Sequence, residues 1–271
     1  MELDHIFNKL WNDYASLNPS VKRIKELFEQ ENETVLNDHI AFRTFDHPLM
    51  NLDVLSASFM KHGYREIQDY HFEEKHLYAK HYEHKDILNA PRIFISELKL
   101  KEMSKQLQQL VNDFIKPVPS KTFASEELLF SGRVWELPSY EVYNTLRNES
   151  EYAAWLYVFG FRANHFTVSI NDLKTLNSVE KVNAFLKLKG FLINDSGGEI
   201  KGSPAELLEQ SSIKSETIKV DFKEGTFDIP GCYYEFAKRY PDSDGKLYSG
   251  FIAKSADKIF ESTDFYSKEK E

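Results

Sequence analysis

Asp38-His39-Ile40-Ala41-Phe42-Arg43-Thr44-Phe45 and Arg162-Ala163-Asn164-His165-Phe166-Thr167-Val168-Ser169-Ile170 are the two stretches that decide the fold. Both are rich in β-branched and aromatic residues, and the first ends at the turn signal Asp46-His47-Pro48, so both read as strands. A helical pattern follows each, at about 52–61 and 179–189, and each stops at a glycine followed by an aromatic, Gly63-Tyr64 and Gly190-Phe191. His39 lies 24 residues before Gly63, and His165 lies 25 residues before Gly190. Asp or Asn precedes the histidine in both, and the two histidines are 126 residues apart. A pattern returning at that offset predicts a duplicated module. Each copy also ends in a strand that carries a glutamate: Glu97 in Arg92-Ile93-Phe94-Ile95-Ser96-Glu97-Leu98, and Glu235 in Gly231-Cys232-Tyr233-Tyr234-Glu235-Phe236.

Side chains alternate along a strand, so parity assigns faces. His39, Ala41 and Arg43 share one face of the first strand, while His165, Thr167 and Ser169 share the polar face of its repeat. Glu235 shares a face with Tyr233 and Ala237. Two paired modules would turn these faces into a common cup holding His39, His165 and Glu235. Two imidazoles and one carboxylate on one face of a metal suit non-haem Fe(II) and leave three positions for substrate and oxygen. Each histidine, taken alone, reads more readily as a hydrogen-bonded structural residue, and it is their matched place in the two modules that favours a ligand role. Glu97 is open between a fourth ligand, a base, and a partner for Arg43 or a backbone group. Arg43, four residues beyond His39 and about 13 Å along the strand, either grips a substrate carboxylate with its planar fork or pairs with Glu97 or Asp38.

Around these modules the chain reads as α+β. Residues 1–34 supply two helices parted at Pro19, 35–98 and 161–255 form two βαβββ-like modules, and 99–160 is a helical insertion. The modules are expected to pair as one open, curled mixed sheet within a single domain, with a charged tail over 256–271 that is expected to be disordered after Phe265. The 64–84 stretch reads as a solvated hairpin, because the spacing of His71, His76, His81 and His84 fits no zinc pattern. The glycine-rich run from Asn194 to Ser203 lacks the Gly-Lys-Ser/Thr ending of a phosphate loop and reads as a turn or lid. No Gly-x-Ser-x-Gly elbow occurs, which argues against a serine hydrolase.

Composition sets the outer limits. With 43 acidic against 34 basic residues the chain carries a formal charge of −9, the wrong sign for gripping a phosphate backbone, so no nucleic-acid partner is expected. Hydrophobic residues make up 41%, yet no apolar run approaches the roughly 20 residues of a membrane span. The start, Met-Glu-Leu-Asp-His, lacks a signal-peptide pattern, and Cys232 is the single cysteine, read as an ordinary buried thiol. A cytoplasmic enzyme is the expectation, with its oligomeric state left open.

Four segments together resemble the 2-oxoadipate dioxygenase/decarboxylase family, in particular its short, bacterial-type members. They are Asp38–Arg43, Asn164–Thr167, Leu207-Leu208-Glu209-Gln210-Ser211-Ser212, and Gly231-Cys232-Tyr233-Tyr234-Glu235-Phe236-Ala237-Lys238-Arg239. The resemblance runs from about residue 35 to 250. It implies a fold like that of the vicinal oxygen chelate proteins, Fe(II) bound by His39, His165 and Glu235, and Arg43 on the substrate. It further implies that 2-oxoadipate and O2 become 2-hydroxyglutarate and CO2, a step of lysine breakdown. Two other readings compete: a glyoxalase-like lyase, isomerase or hydrolase using a redox-inactive metal on the same scaffold, and a small-molecule-binding module without turnover.

Overall fold

The computed structural model describes residues 2–252. The charged tail and the last residues of the second module lie outside them. Two amphipathic helices open the chain: α1 (Leu3–Leu17) buries Ile6, Leu10 and Tyr14, and α2 (Pro19–Gln30) begins at the proline. A proline fits the first helical position because the N–H it lacks has no partner there. The first module is β1 (Asn37–Phe45), α3 (Leu52–Lys61), β2 (Tyr64–Phe72), β3 (Leu77–His84) and β4 (Arg92–Leu98). The insertion holds α4 (Lys105–Ile115), the short α5 (Ser120–Phe123), α6 (Tyr140–Glu149) and α7 (Glu151–Phe159). The second module is β5 (Ala163–Ser169), α8 (Val179–Leu188), β6 (Lys201–Ser203), β7 (Leu208–Ser212), β8 (Thr217–Phe222), β9 (Gly225–Pro230) and β10 (Glu235–Arg239).

One mixed eight-stranded sheet runs in the order β2-β3-β4-β1-β5-β10-β7-β6. The βαβ start and the sheet expected of a duplicated module are present in both copies. Their helices also end alike, at Gly63 with φ +95° and Gly190 with φ +88°, where a side chain would be strained. At Gly63 the space is closed as well, since an added Cβ would lie 2.8 Å from His84 Nε2.

By its internal packing the chain divides into two compact units. The first comprises residues 1–14, 41–164 and 218–229; it holds β2, β3, β4, the second half of β1 and the helical insertion. Its strands β2, β3 and β4 are antiparallel, with Tyr70 opposite Ala79 and Tyr78 opposite Glu97. Its most buried helix is α7, enclosed from Tyr152 to Phe159, which explains its almost uninterrupted apolar sequence. The second unit takes residues 15–40, 165–217 and the chain from Pro230 onward. Here β10 pairs in parallel with β5, placing Glu235 beside Thr167, and antiparallel with β7, placing Glu235 beside Ser212.

Three features depart from the sequence expectation or add to it. The β8–β9 hairpin does not join the large sheet. It forms a two-stranded sheet within the first unit, where Phe227 stacks on Tyr140 with ring centroids 3.7 Å apart and Glu224 accepts from the Ser139 hydroxyl and the Tyr140 amide. The helical stretch 140–159 is two helices, broken at Ser150, which caps α7 through the Ala153 amide. In the histidine-rich hairpin, His71 and His76 are exposed as expected, but His81 is buried with its Nδ1 2.7 Å from the Tyr70 hydroxyl. The run 194–203 is a turn that leads into the edge strand β6, and not a phosphate cradle: its buried Lys201 donates to the carbonyl oxygens of Asn194 and Gly198, both at 2.7 Å.

Candidate metal centre

The second unit brings His39, His165 and Glu235 together from β1, β5 and β10. His165 Nε2 stands 3.4 Å from His39 Nε2 and 3.3 Å from a Glu235 oxygen, and His39 Nε2 stands 3.6 Å from the other Glu235 oxygen. All three side chains are buried, at 3%, 5% and 1% exposure. Donor atoms bound to one ion at about 2.0–2.2 Å lie roughly 3–3.5 Å apart, so this triangle has the size a single metal ion requires. Among the described residues it is the one group of three or more His, Cys, Asp and Glu side chains assembled in this way.

Its electrostatics fit a cation too. Burial pushes the Glu235 carboxyl up to about 8, against the opposing effect of the Gln210 amide, which donates to its Oε1. A buried carboxylate is costly without a compensating charge, and a divalent ion among these donors supplies it.

The surrounding residues hold the three side chains in place. Gln210 stands diagonally across from Glu235 on β7, on the face parity assigns to both. Thr167, opposite Glu235 on β5, has its hydroxyl 3.1 Å from His39 Nε2. Tyr233 stacks on His165 at 4.7 Å, and Phe251 meets His39 edge-on at 4.8 Å. Behind His39, Asp38 Oδ1 lies 2.8 Å from Nδ1, and Arg239 grips the same carboxylate. Burial opposes charge on Asp38, yet Arg239 and the His39 hydrogen bond outweigh it and hold that carboxyl well below the usual range.

Arg43 and Glu97 belong to the first unit. Arg43 is buried, and its guanidinium lies over the rings of Tyr152 and Trp155 at 5.0 and 5.2 Å. Of the two carboxylates weighed as its partners, Asp38 accepts from Arg239, and Glu97 accepts from the amide of Leu52, the first residue of α3, at 2.8 Å. Glu97 is thus spent on a backbone group, one of the alternatives the sequence left open. Arg239 and Gln210 carried no role in the sequence reading, although both sit in the segments that prompted the resemblance. The signal was parity, because Arg239 shares the face of Glu235 on β10.

A buried group of two histidines and one carboxylate that could hold a single metal ion lies on a mixed sheet of vicinal oxygen chelate-like fold. A solved glyoxalase-superfamily protein from Ralstonia eutropha JMP134 shares this fold at a TM-score of 0.76 and 18% identity, over 89% of this chain and 83% of its own. More specific matches follow. The profile of the 2-oxoadipate dioxygenase/decarboxylase family matches residues 6–127 and 127–246, and the chain belongs to that family. The chloroplastic 2-oxoadipate dioxygenase/decarboxylase of Arabidopsis thaliana is 35% identical over 275 residues, covering 92% of this chain and 74% of that protein. The hydroxyglutarate synthase of Oryza sativa, solved in complex with 2-oxoadipate, superposes with a TM-score of 0.91 at 32% identity, over 98% of this chain and 93% of its own. A protein of Shewanella frigidimarina NCIMB 400, provisionally named a hydrolase, matches with a TM-score of 0.88 at 45% identity, over 93% and 98%. The chain is therefore an enzyme of dioxygenase/decarboxylase type. Among the described residues no helix is long and apolar enough to cross a membrane.

Proposed function

We propose that the protein is an Fe(II)-dependent dioxygenase/decarboxylase that converts 2-oxoadipate and O2 to 2-hydroxyglutarate and CO2, in lysine catabolism. The observation that carries this reading is the triangle of His39, His165 and Glu235, with donor atoms within 4.8 Å of one another in a family whose named members act on 2-oxoadipate. Two neutral imidazoles and one carboxylate select a divalent transition metal and leave open positions for a bidentate 2-oxo acid and oxygen. When bound, Fe(II) supplies the centre at which oxygen is activated and the 2-oxo acid loses CO2. The substrate would provide the electrons for both oxygen atoms: its first carboxylate leaves as CO2 with its own oxygens, one atom of O2 completes the new carboxylate at the former keto carbon, and the other becomes the hydroxyl on the next carbon, so no second 2-oxo acid is consumed.

The chain's own residues do the remaining work. Asp38 and Gln210 orient His39 and Glu235, so that their donor atoms face one point. Arg43 holds the far carboxylate of the substrate. Its support is its position on the strand and face of His39, its burial against Tyr152 and Trp155, and the match of a guanidinium fork to a carboxylate. A guanidinium in that role favours a dicarboxylate over a 2-oxo monocarboxylate.

The test is oxygen uptake by anaerobically iron-loaded protein, with 2-oxoadipate and a panel of other 2-oxo acids. Uptake matched by CO2 release, highest with 2-oxoadipate, is the expected result. Metal-dependent turnover without oxygen would move the protein to the lyase or hydrolase reading.

A further inference from the structure

The most fully hydrogen-bonded ion pair among the described residues lies directly behind one candidate ligand. Arg239 Nε donates to Asp38 Oδ2 at 2.6 Å and its Nη2 donates to Oδ1 at 2.9 Å, a two-pronged grip on one carboxylate. Its Nη1 donates to the carbonyl oxygens of Tyr248 and Gly250, at 2.9 and 2.8 Å. The guanidinium also lies over the Phe251 ring, 5.0 Å from its centroid, and Phe251 in turn packs edge-on against His39. Both members of the pair are almost completely buried. Buried ion pairs contribute little net stability over apolar residues of the same volume, so stability alone is a weak reason for this one.

Its geometry suggests another role. An ionised carboxylate only accepts, so the 2.8 Å contact from Asp38 places the His39 proton on Nδ1 and leaves the Nε2 lone pair facing His165 and Glu235. Asp38 is itself held from swinging by the fork of Arg239. We propose that Arg239 is a positioning residue for the metal centre: through Asp38 it fixes the tautomer and orientation of His39, and through Tyr248 and Gly250 it seats Phe251 against the same ring. The proposal rests on the reading of His39 as a metal ligand. A lysine at 239 keeps the charge but cannot bridge two carboxylate oxygens and two carbonyls together, so it is a poor substitute.

Titration of metal-free protein with Co2+, followed by calorimetry and by the visible absorption of the bound ion, tests this without turnover. His39→Ala is the control for the ligand reading and is expected to lose tight binding. The paired change Asp38→Leu with Arg239→Met removes the acceptor for Nδ1 without stranding a buried charge, so the fold and melting temperature are expected to hold. Its Co2+ affinity is expected to fall by about 10- to 100-fold, the range for losing such an outer partner, with an altered absorption band. Asp38→Asn combined with Arg239→Met keeps an oxygen that accepts from Nδ1, again without a stranded charge, and is expected to recover most of that loss. Parental affinity and spectrum in the paired variant, with His39→Ala defective, would overturn the positioning role and leave the ligand reading intact. Normal binding by His39→Ala would overturn both. Should the paired variant fail to fold, Arg239→Lys decides: several-fold weaker Co2+ binding supports the proposal, and unchanged binding removes it.

Discussion

Glu97 and Glu235 occupy corresponding places, each on a late strand of one of two similar modules, yet they have different occupations. Glu97 is half-buried and accepts from the Leu52 amide at the start of α3. Glu235 is fully buried, takes a hydrogen bond from Gln210, and faces two imidazoles. Burial raises the pKa of both, but only Glu235 reaches about 8. In the second unit, backbone amides find other acceptors. Ser178 caps α8 through the Lys181 amide, and Glu33 takes the amides of Lys174, Thr175 and Leu176. Glu235 is thereby released from structural duty. A repeated carboxylate can thus be a ligand in one copy and a helix-end acceptor in the other, and the neighbouring donors decide which.

The sharpest way to break this comparison is to delete each glutamate and measure bound metal. Glu235→Ala is expected to weaken divalent metal binding by more than about 100-fold, beyond the loss typical of an outer partner, whereas Glu97→Ala keeps parental affinity. Equal loss in both would make Glu97 a ligand and end the asymmetry. Next in size is Arg43→Ala, expected to retain metal and raise KM for 2-oxoadipate by about 10- to 100-fold, as loss of a charge-assisted contact of about 1.5–3 kcal/mol implies. KM for a 2-oxo monocarboxylate should hardly move, and an unchanged ratio would make Arg43 structural.

Smaller effects concern stability. Burial raises the Glu33 carboxyl, but the Thr175 hydroxyl and the three amides overcome that and lower it to about 2. A lowered carboxyl stabilises the fold above its ordinary pKa, and that contribution fades as pH falls from about 4.5 towards 2. Glu33→Gln is therefore expected to cost about 1–3 kcal/mol at pH 7, with the gap to the parent closing near pH 2 in denaturant titrations. A gap independent of pH would refute the assignment. Glu97→Ala should cost least, about 1 kcal/mol in chemical denaturation, since it removes one partly buried acceptor.

Much of the module pattern was legible because strand periodicity and helix-stopping glycines are local. His39, His165 and Glu235 could be assembled on paper from parity and repetition, since both follow from the two-residue period of a strand. What escaped depends on long-range partners. His81 sits in a stretch dense in charges and histidines that reads as solvated, and its burial goes with a long-range partner, the Tyr70 hydroxyl across the hairpin. The β8–β9 hairpin has ordinary strand character, and its separation from the large sheet follows from Phe227 meeting Tyr140 far along the chain. Arg239 sits 201 residues from Asp38, and no local pattern announces that pairing.

The interleaved order of the units has a consequence for synthesis of the chain. His39 emerges early, within the segment 15–40 that belongs to the second unit, and Glu235 follows 196 residues later. At about 5–20 residues per second, some 10–40 seconds separate the translation of the first donor from that of the last. During that interval β1 has no β10 in its sheet, and His39 has neither its carboxylate neighbour nor the Arg239 behind Asp38. Assembly of the centre is in that sense a late event in synthesis, waiting on the ribosome's arrival at β10.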